Sequence, residues 1–190
     1  MATAFVLGNG RSRNGIDLHT LKSHGTIYGC NALYREFVPD VLVAADRAIS
    51  EQIQHSGYSQ NHKFYTRKPV AGLGAARVPQ EYWGFSSGQI AVALACIDRH
   101  RTVYMLGFDL GSTNAKFNNV YADTEFYKRS SDRPTFAGNW IKQILRIAKD
   151  YSDCELIRVM GSESAAVPEF AKCTNVESIH IGEFQKQFGV

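Results

Sequence analysis

The sequence predicts an α/β fold: one Rossmann-like domain with a mostly parallel sheet, helices on both faces and a lid-like insertion. Three observations lead there. Short apolar runs alternate with helical patterns, several of those runs end on Gly, Asn or Asp, and one long polar, aromatic segment interrupts the alternation. With 190 residues, 44% of them hydrophobic, the chain can bury a full core as a single domain over residues 1–190.

Each element follows from its own stretch of sequence. Residues 4–7, "AFVL", form a buried strand that stops on Gly8-Asn9-Gly10, where glycines allow a sharp turn and let backbone N–H groups approach an anion. A second strand over 26–28 runs into "YGCNAL", which supplies Gly29 and Asn31. A third over 41–45 ends on Asp46, and the pattern from 47 to 54 is helical. Residues 63–66 make a fourth strand. Next, "FSSGQIAVALACI" places Ser86, Ser87 and Gly88 directly before an apolar helix over 87–99, where free N–H groups and the helix dipole favour an anion. The fifth strand, 102–106, ends on Gly107 and Asp109. From 111 to 134 the chain turns polar and aromatic; this span exceeds a routine connection and reads as a lid. A helix over 135–151 and a strand over 155–159 follow, and "ESIHIGEF" adds a last strand.

In open α/β sheets ligands bind outside the carboxyl ends of the strands. Four strand ends carrying Gly, Asn or Asp therefore suggest a site. The alternative is that these residues only cap the helices and turns that follow. The glycine loop excludes two common fingerprints: Gly8 and Gly10 begin G-x-G-x-x-G, but Arg13 occupies the third glycine position, and no Gly-Lys-Ser/Thr makes a P-loop.

The 21 Lys and Arg against 18 Asp and Glu leave a net charge of +3, too little for duplex nucleic-acid binding and compatible with a nucleotide. Cys30, Cys96, Cys154 and Cys173 lack C-x-x-C spacing, which points to neither zinc nor a disulfide framework. Without a signal peptide or an apolar run long enough to span a bilayer, the expectation is a cytoplasmic protein with no membrane partner.

"VLGNGRSRNGIDLHTL", "IYGCNALY", "SSGQIAVALACI" and "VYMLGFDL", in that order, resemble the bacterial lipooligosaccharide sialyltransferases of glycosyltransferase family forty-two. They also resemble the related superfamily that contains an archaeal 6-hydroxymethyl-dihydropterin pyrophosphokinase. The resemblance implies nucleotide contacts from Asn9, Gly10, Ser12, Asn31, Ser86, Ser87 and Gly88, with Tyr121 matching a lid tyrosine. It adds a departure: the family's lid histidine, a general base, has no counterpart, because no histidine lies between His100 and His180.

Asp46 and Asp123 are the carboxylates left to take an acceptor proton. Asp46 and Asp109 could share one Mg²⁺ with a nucleotide diphosphate. Alternatively Asp46 accepts from a ribose hydroxyl, or pairs with Arg11, Arg13 or Arg47. Two function classes stay open: group transfer from a nucleotide-sugar or nucleotide-phosphate donor, and a non-catalytic binder that sequesters a nucleotide-derived signal. A homo-oligomer is compatible with either.

Overall fold

The structure is a computed structural model that describes residues 3–190. It contains one eight-stranded sheet in which every pairing is parallel, in the order β5-β4-β3-β2-β1-β6-β7-β8. The strands are β1 (Thr3–Leu7), β2 (Thr26–Cys30), β3 (Val41–Ala44), β4 (Phe64–Thr66), β5 (Ala76–Arg77), β6 (Thr102–Leu106), β7 (Glu155–Met160) and β8 (Val176–His180). The helices are α1 (Leu18–Lys22), α2 (Arg47–His55), α3 (Tyr58–Asn61), α4 (Ser87–Ile97), α5 (Gly138–Asp150) and α6 (Ile181–Phe188).

Successive residues of a strand point to opposite faces. In β1, Ala4 and Val6 join a core with α4 and α5, while Phe5 and Leu7 join a second core. That second core takes in Leu21 of α1, Ile49 and Ile53 of α2 and Phe184 of α6. The sheet is thus the middle of three layers, and burial on both faces accounts for the unbroken apolar runs of the central strands. The innermost helix, α4, carries Ile90 through Ala93 fully buried.

Several elements differ from the sequence expectation: short α1 and α3 were not expected, and α4 stops at Ile97 instead of 99. Two-residue β5, with both residues exposed, is too short to leave a pattern. The stretch read as one last strand splits: β8 stops at His180, whose side chain accepts from the Gly182 N–H at 3.1 Å while Glu183 accepts from the His180 N–H at 3.4 Å. This reciprocal capping starts α6. Finally, α5 begins at Gly138 instead of 135. No helix among the described residues is long and apolar enough to cross a membrane.

Candidate functional site

After β5 at one edge the chain returns through α4 to β6, on the far side of β1. The order therefore reverses between β1 and β6, and a crevice opens at their carboxyl ends. There the Gly8 N–H donates to the Leu106 carbonyl at 2.8 Å, and the Gly10 N–H to the Gly107 carbonyl at 2.8 Å. A Cβ on Gly8 would lie 2.7 Å from the Gly107 oxygen, and one on Gly10 2.4 Å from an Asp109 carboxylate oxygen. The two glycines of the opening motif thus let two strand ends and a buried carboxylate meet. Gly107, at φ +68, makes the left-handed turn on the opposite side.

A cavity of about 390 Å³ occupies this crevice, within the size range of small-molecule sites. Gly8, Asn9, Gly10, Asn31, Asp46, Ser86, Ser87, Gly88, Gly107 and Asp109 all line it. Ser12, Tyr121 and Asp123 do not.

Of those three, Tyr121 and Asp123 are used elsewhere. The Ser12 N–H donates to Asp109 at 3.1 Å, while its buried hydroxyl has no hydrogen-bond partner. Tyr121 is buried beside Arg13, whose guanidinium donates to the Tyr121 oxygen at 2.8 Å, to Glu36 at 3.0 Å and to the Gly8 carbonyl at 2.9 Å. The Tyr121 hydroxyl in turn donates to Glu36 at 2.5 Å. Burial, then Glu36, pushes this phenol above its ordinary range. Asp123, exposed and at φ +67, accepts from the Ser130 N–H at 3.0 Å, and Ser130 holds its carboxyl below the usual value.

Asp109 is only 3% exposed, and its carboxylate already accepts from the Ser12 N–H, from Asn118 at 2.9 Å and from Ser164 at 2.8 Å. Arg158, 1% exposed, donates to the Phe108 and Asp109 carbonyls at 2.8 and 2.7 Å. Its guanidinium pKa is lowered to about 10 by burial, partly offset by Asp109. Asp109 is therefore a structural anchor for the loop after β6. Its carboxylate is thus held by three protein donors, and no group of three or more His, Cys, Asp or Glu side chains that could hold a metal forms among the described residues.

Asp46 stands differently. It is exposed, precedes α2 and makes no capping bond. Arg47 pairs with Glu51 at 2.7 Å and Arg13 with Glu36, so neither neutralises it.

Unspent hydrogen-bonding groups line the same cavity as Asp46. Asn31, at φ +53 where β2 ends, has a buried side-chain oxygen with no partner. Ser86 makes no capping bond to α4, and the Ser87 hydroxyl accepts from the Ala45 N–H at 2.9 Å. The first-turn N–H groups of α4 thus remain available. Arg67 donates to the Trp83 and Phe85 carbonyls, both at 2.7 Å, which fixes the turn that delivers Ser86. Cys30 is buried against the Leu7 carbonyl, its thiol pushed up to about 12 by desolvation; it is no nucleophile.

The long segment closes one side. The Asn118 oxygen accepts from the Arg11 N–H at 2.9 Å and the Val120 N–H donates to the Asn9 carbonyl at 2.8 Å. Phe117, Phe126, Tyr127 and Lys128 line the cavity. The Tyr127 oxygen accepts from the Asn9 amide and the Ala32 N–H, both at 3.3 Å. Arg67, Asn118 and Trp140 were not legible as site residues: Asn118 and Trp140 stand at no strand end, and Arg67, directly after β4, is not one of the Gly, Asn or Asp residues that marked the other ends.

No family model and no curated protein matches the chain. Among solved structures, it is similar to the sialyltransferase CstII from Campylobacter jejuni in complexes with cytidine-5'-monophosphate and with CMP-3FNeuAc. Both matches are at 17% identity and TM-score 0.49; they cover 83% of this chain and 79% and 80% of those chains.

Proposed function

We propose that the switch-point cavity binds a nucleotide, and that the protein transfers a group from a nucleotide-sugar or nucleotide-phosphate donor. One observation carries the reading: unspent donors and acceptors converge on a single cavity. The α4 N-terminus offers N–H groups and a positive dipole end to phosphate, while Asn31 and Asp46 offer acceptors to hydroxyl or amino groups. Phe117, Phe126 and Trp140 supply apolar surface for a planar ring.

In a transfer, Asp46 takes the acceptor's proton, as the one lining carboxylate without protein donors, and the α4 N–H groups stabilise charge on the leaving phosphate. A second reading is retention without turnover. It is favoured by the lining itself, which holds no histidine and so no group of ordinarily near-neutral pKa.

The test incubates the protein with CMP, CDP, UDP, ADP, cyclic nucleotides and nucleotide sugars, then recovers the ligands by chromatography after heating. A changed product supports transfer, and intact release supports retention. Asp46→Asn should abolish turnover while affinity stays within about threefold, because an amide accepts a hydrogen bond but no proton at neutral pH. A panel in which nothing binds sinks both readings.

A further inference from the structure

The amino ends of the strands, opposite the cavity, carry a pair of cysteines that the site does not use. Cys96 lies in the last turn of α4, and Cys154 directly precedes β7. Their sulfurs are 3.5 Å apart, with the Cys96 thiol donating to Cys154. The Cys154 thiol has only a 4.0 Å contact to the Glu155 carbonyl. Both side chains are buried, at 5% and 3% exposure, yet the cover is thin: Ile97 follows Cys96 at 38% exposure, and Asp153 and Glu155 flank Cys154 on the surface. All four cysteines of the chain are free thiols.

We propose that Cys96 and Cys154 are a redox-responsive dithiol that closes into an intramolecular disulfide on exposure to a hydroperoxide. The sulfurs already touch, so side-chain rotation with a small approach of α4 to β7 brings them to bonding distance. The hydrogen bond from Cys96 lowers the Cys154 thiol below its ordinary value, which favours Cys154 as the attacking thiolate.

The Cys154 thiolate, its proton released to solvent, attacks one oxygen of hydrogen peroxide; an S–O bond forms, the O–O bond breaks, and the leaving hydroxide takes up a proton and departs as water. Cys96 then attacks the sulfenic sulfur. The S–S bond forms, the S–O bond breaks, and the hydroxide leaves as a second water with the Cys96 proton. Two thiols lose two electrons in all, and one peroxide gains them.

The closed bond ties the buried helix to β7 and encloses β6, the 111–134 segment and α5. It constrains the unfolded chain strongly while lying at the amino ends of the strands, away from the cavity at their carboxyl ends.

Native protein is treated with hydrogen peroxide, and thiols are counted before and after. The expected result is a fall from four thiols to two, a single Cys96–Cys154 peptide cross-link by mass spectrometry, and a Tm raised by several degrees and restored by dithiothreitol. Cys96→Ala and Cys154→Ala should each abolish the cross-link and the Tm rise, and Cys173→Ala should preserve both. Four thiols persisting in the treated native protein overturn the proposal, as does a cross-link through Cys173 or Cys30 or between two chains. Cys173→Ala also keeps the test decisive should either of the other variants fail to fold.

Discussion

At the scale of single residues, one asparagine and one tyrosine separate ligand contact from internal support. Asn31 sits at φ +53 with a buried oxygen that nothing satisfies. Asparagine tolerates that conformation at little cost, but a buried acceptor without a partner is unfavourable unless a ligand supplies the donor. Asn31→Gly keeps the backbone accessible and removes the acceptor. Its apo melting temperature should match or exceed the wild type, and nucleotide affinity should fall roughly 3- to 10-fold, the value of one hydrogen bond; calorimetric titration measures the second and a thermal melt the first. Tyr121 is the converse. The resemblance named it as a lid tyrosine, and the structure places Tyr127 on the cavity and Tyr121 on Arg13 and Glu36. Tyr121→Phe should therefore cost about 1–2 kcal/mol in denaturant unfolding and leave nucleotide affinity unchanged. The sequence could not make that distinction, because the partner that captures Tyr121 is Arg13, which reads there as a missing third glycine or a partner for Asp46.

Elements were legible where they were long or strongly patterned. The six central strands and the helices α2, α4 and α5 follow from alternation of apolar runs, while α1, α3 and β5 span only five, four and two residues and give no periodic signal. The 111–134 segment is the instructive case. Its length marked it as a lid, but its first half is anchored: Phe117 bonds to Asp132, Asn118 to Asp109 and the Glu163 carbonyl, and Val120 to Asn9. Asn9 and Glu163 lie on other loops, Asp132 and Asp109 within the segment and just before it, and none of these pairings is visible in sequence. The tip differs, since its turn is held by Asp123, which accepts from Ser130 and whose N–H donates to the Lys128 carbonyl at 3.0 Å. The Asp123 carboxyl is lowered in the folded state, so its contribution is fully present above the unfolded value near 3.8 and fades as pH falls through the folded value. Hydrogen exchange, corrected for intrinsic rates, should show the amides of residues 123–130 losing protection below that window while Phe117 and Val120 keep theirs. Asp123→Gly, which retains the left-handed backbone, should show the exposed tip already at neutral pH. Simultaneous loss at all these amides in acid would mean that the segment opens as one unit.

For the whole molecule, the decisive feature is that one cavity draws on both halves of the sheet. Asn9, Asn31 and Asp46 follow β1, β2 and β3, whereas Gly107, Phe108 and Tyr127 follow β6, and α4 lies beneath the junction. The reversal of strand order created this crevice, and the Gly, Asn and Asp at four strand ends suggested it in the sequence, although Asp109 and the glycines among them serve the fold. The closing wall from Phe117 to Lys128 was announced only as a long loop. A ligand that bridges both halves binds the native state alone and must stabilise the entire cooperative unit. At 100 times its dissociation constant it contributes about 2.7 kcal/mol, which for a domain of this size raises Tm by roughly 5–10 °C. The shift should appear in a single unfolding transition and grow with the logarithm of ligand concentration. Inorganic phosphate at the same multiple of its own dissociation constant should give the same shift, but should need a far higher concentration, since it fills only the α4 end. Chelating divalent metal should leave the nucleotide shift unchanged, because Asp109 is already committed to protein donors. A nucleotide whose binding slows exchange in residues 123–130 without moving Tm would place its contacts on the tip of the long segment, and the switch-point assignment would fall.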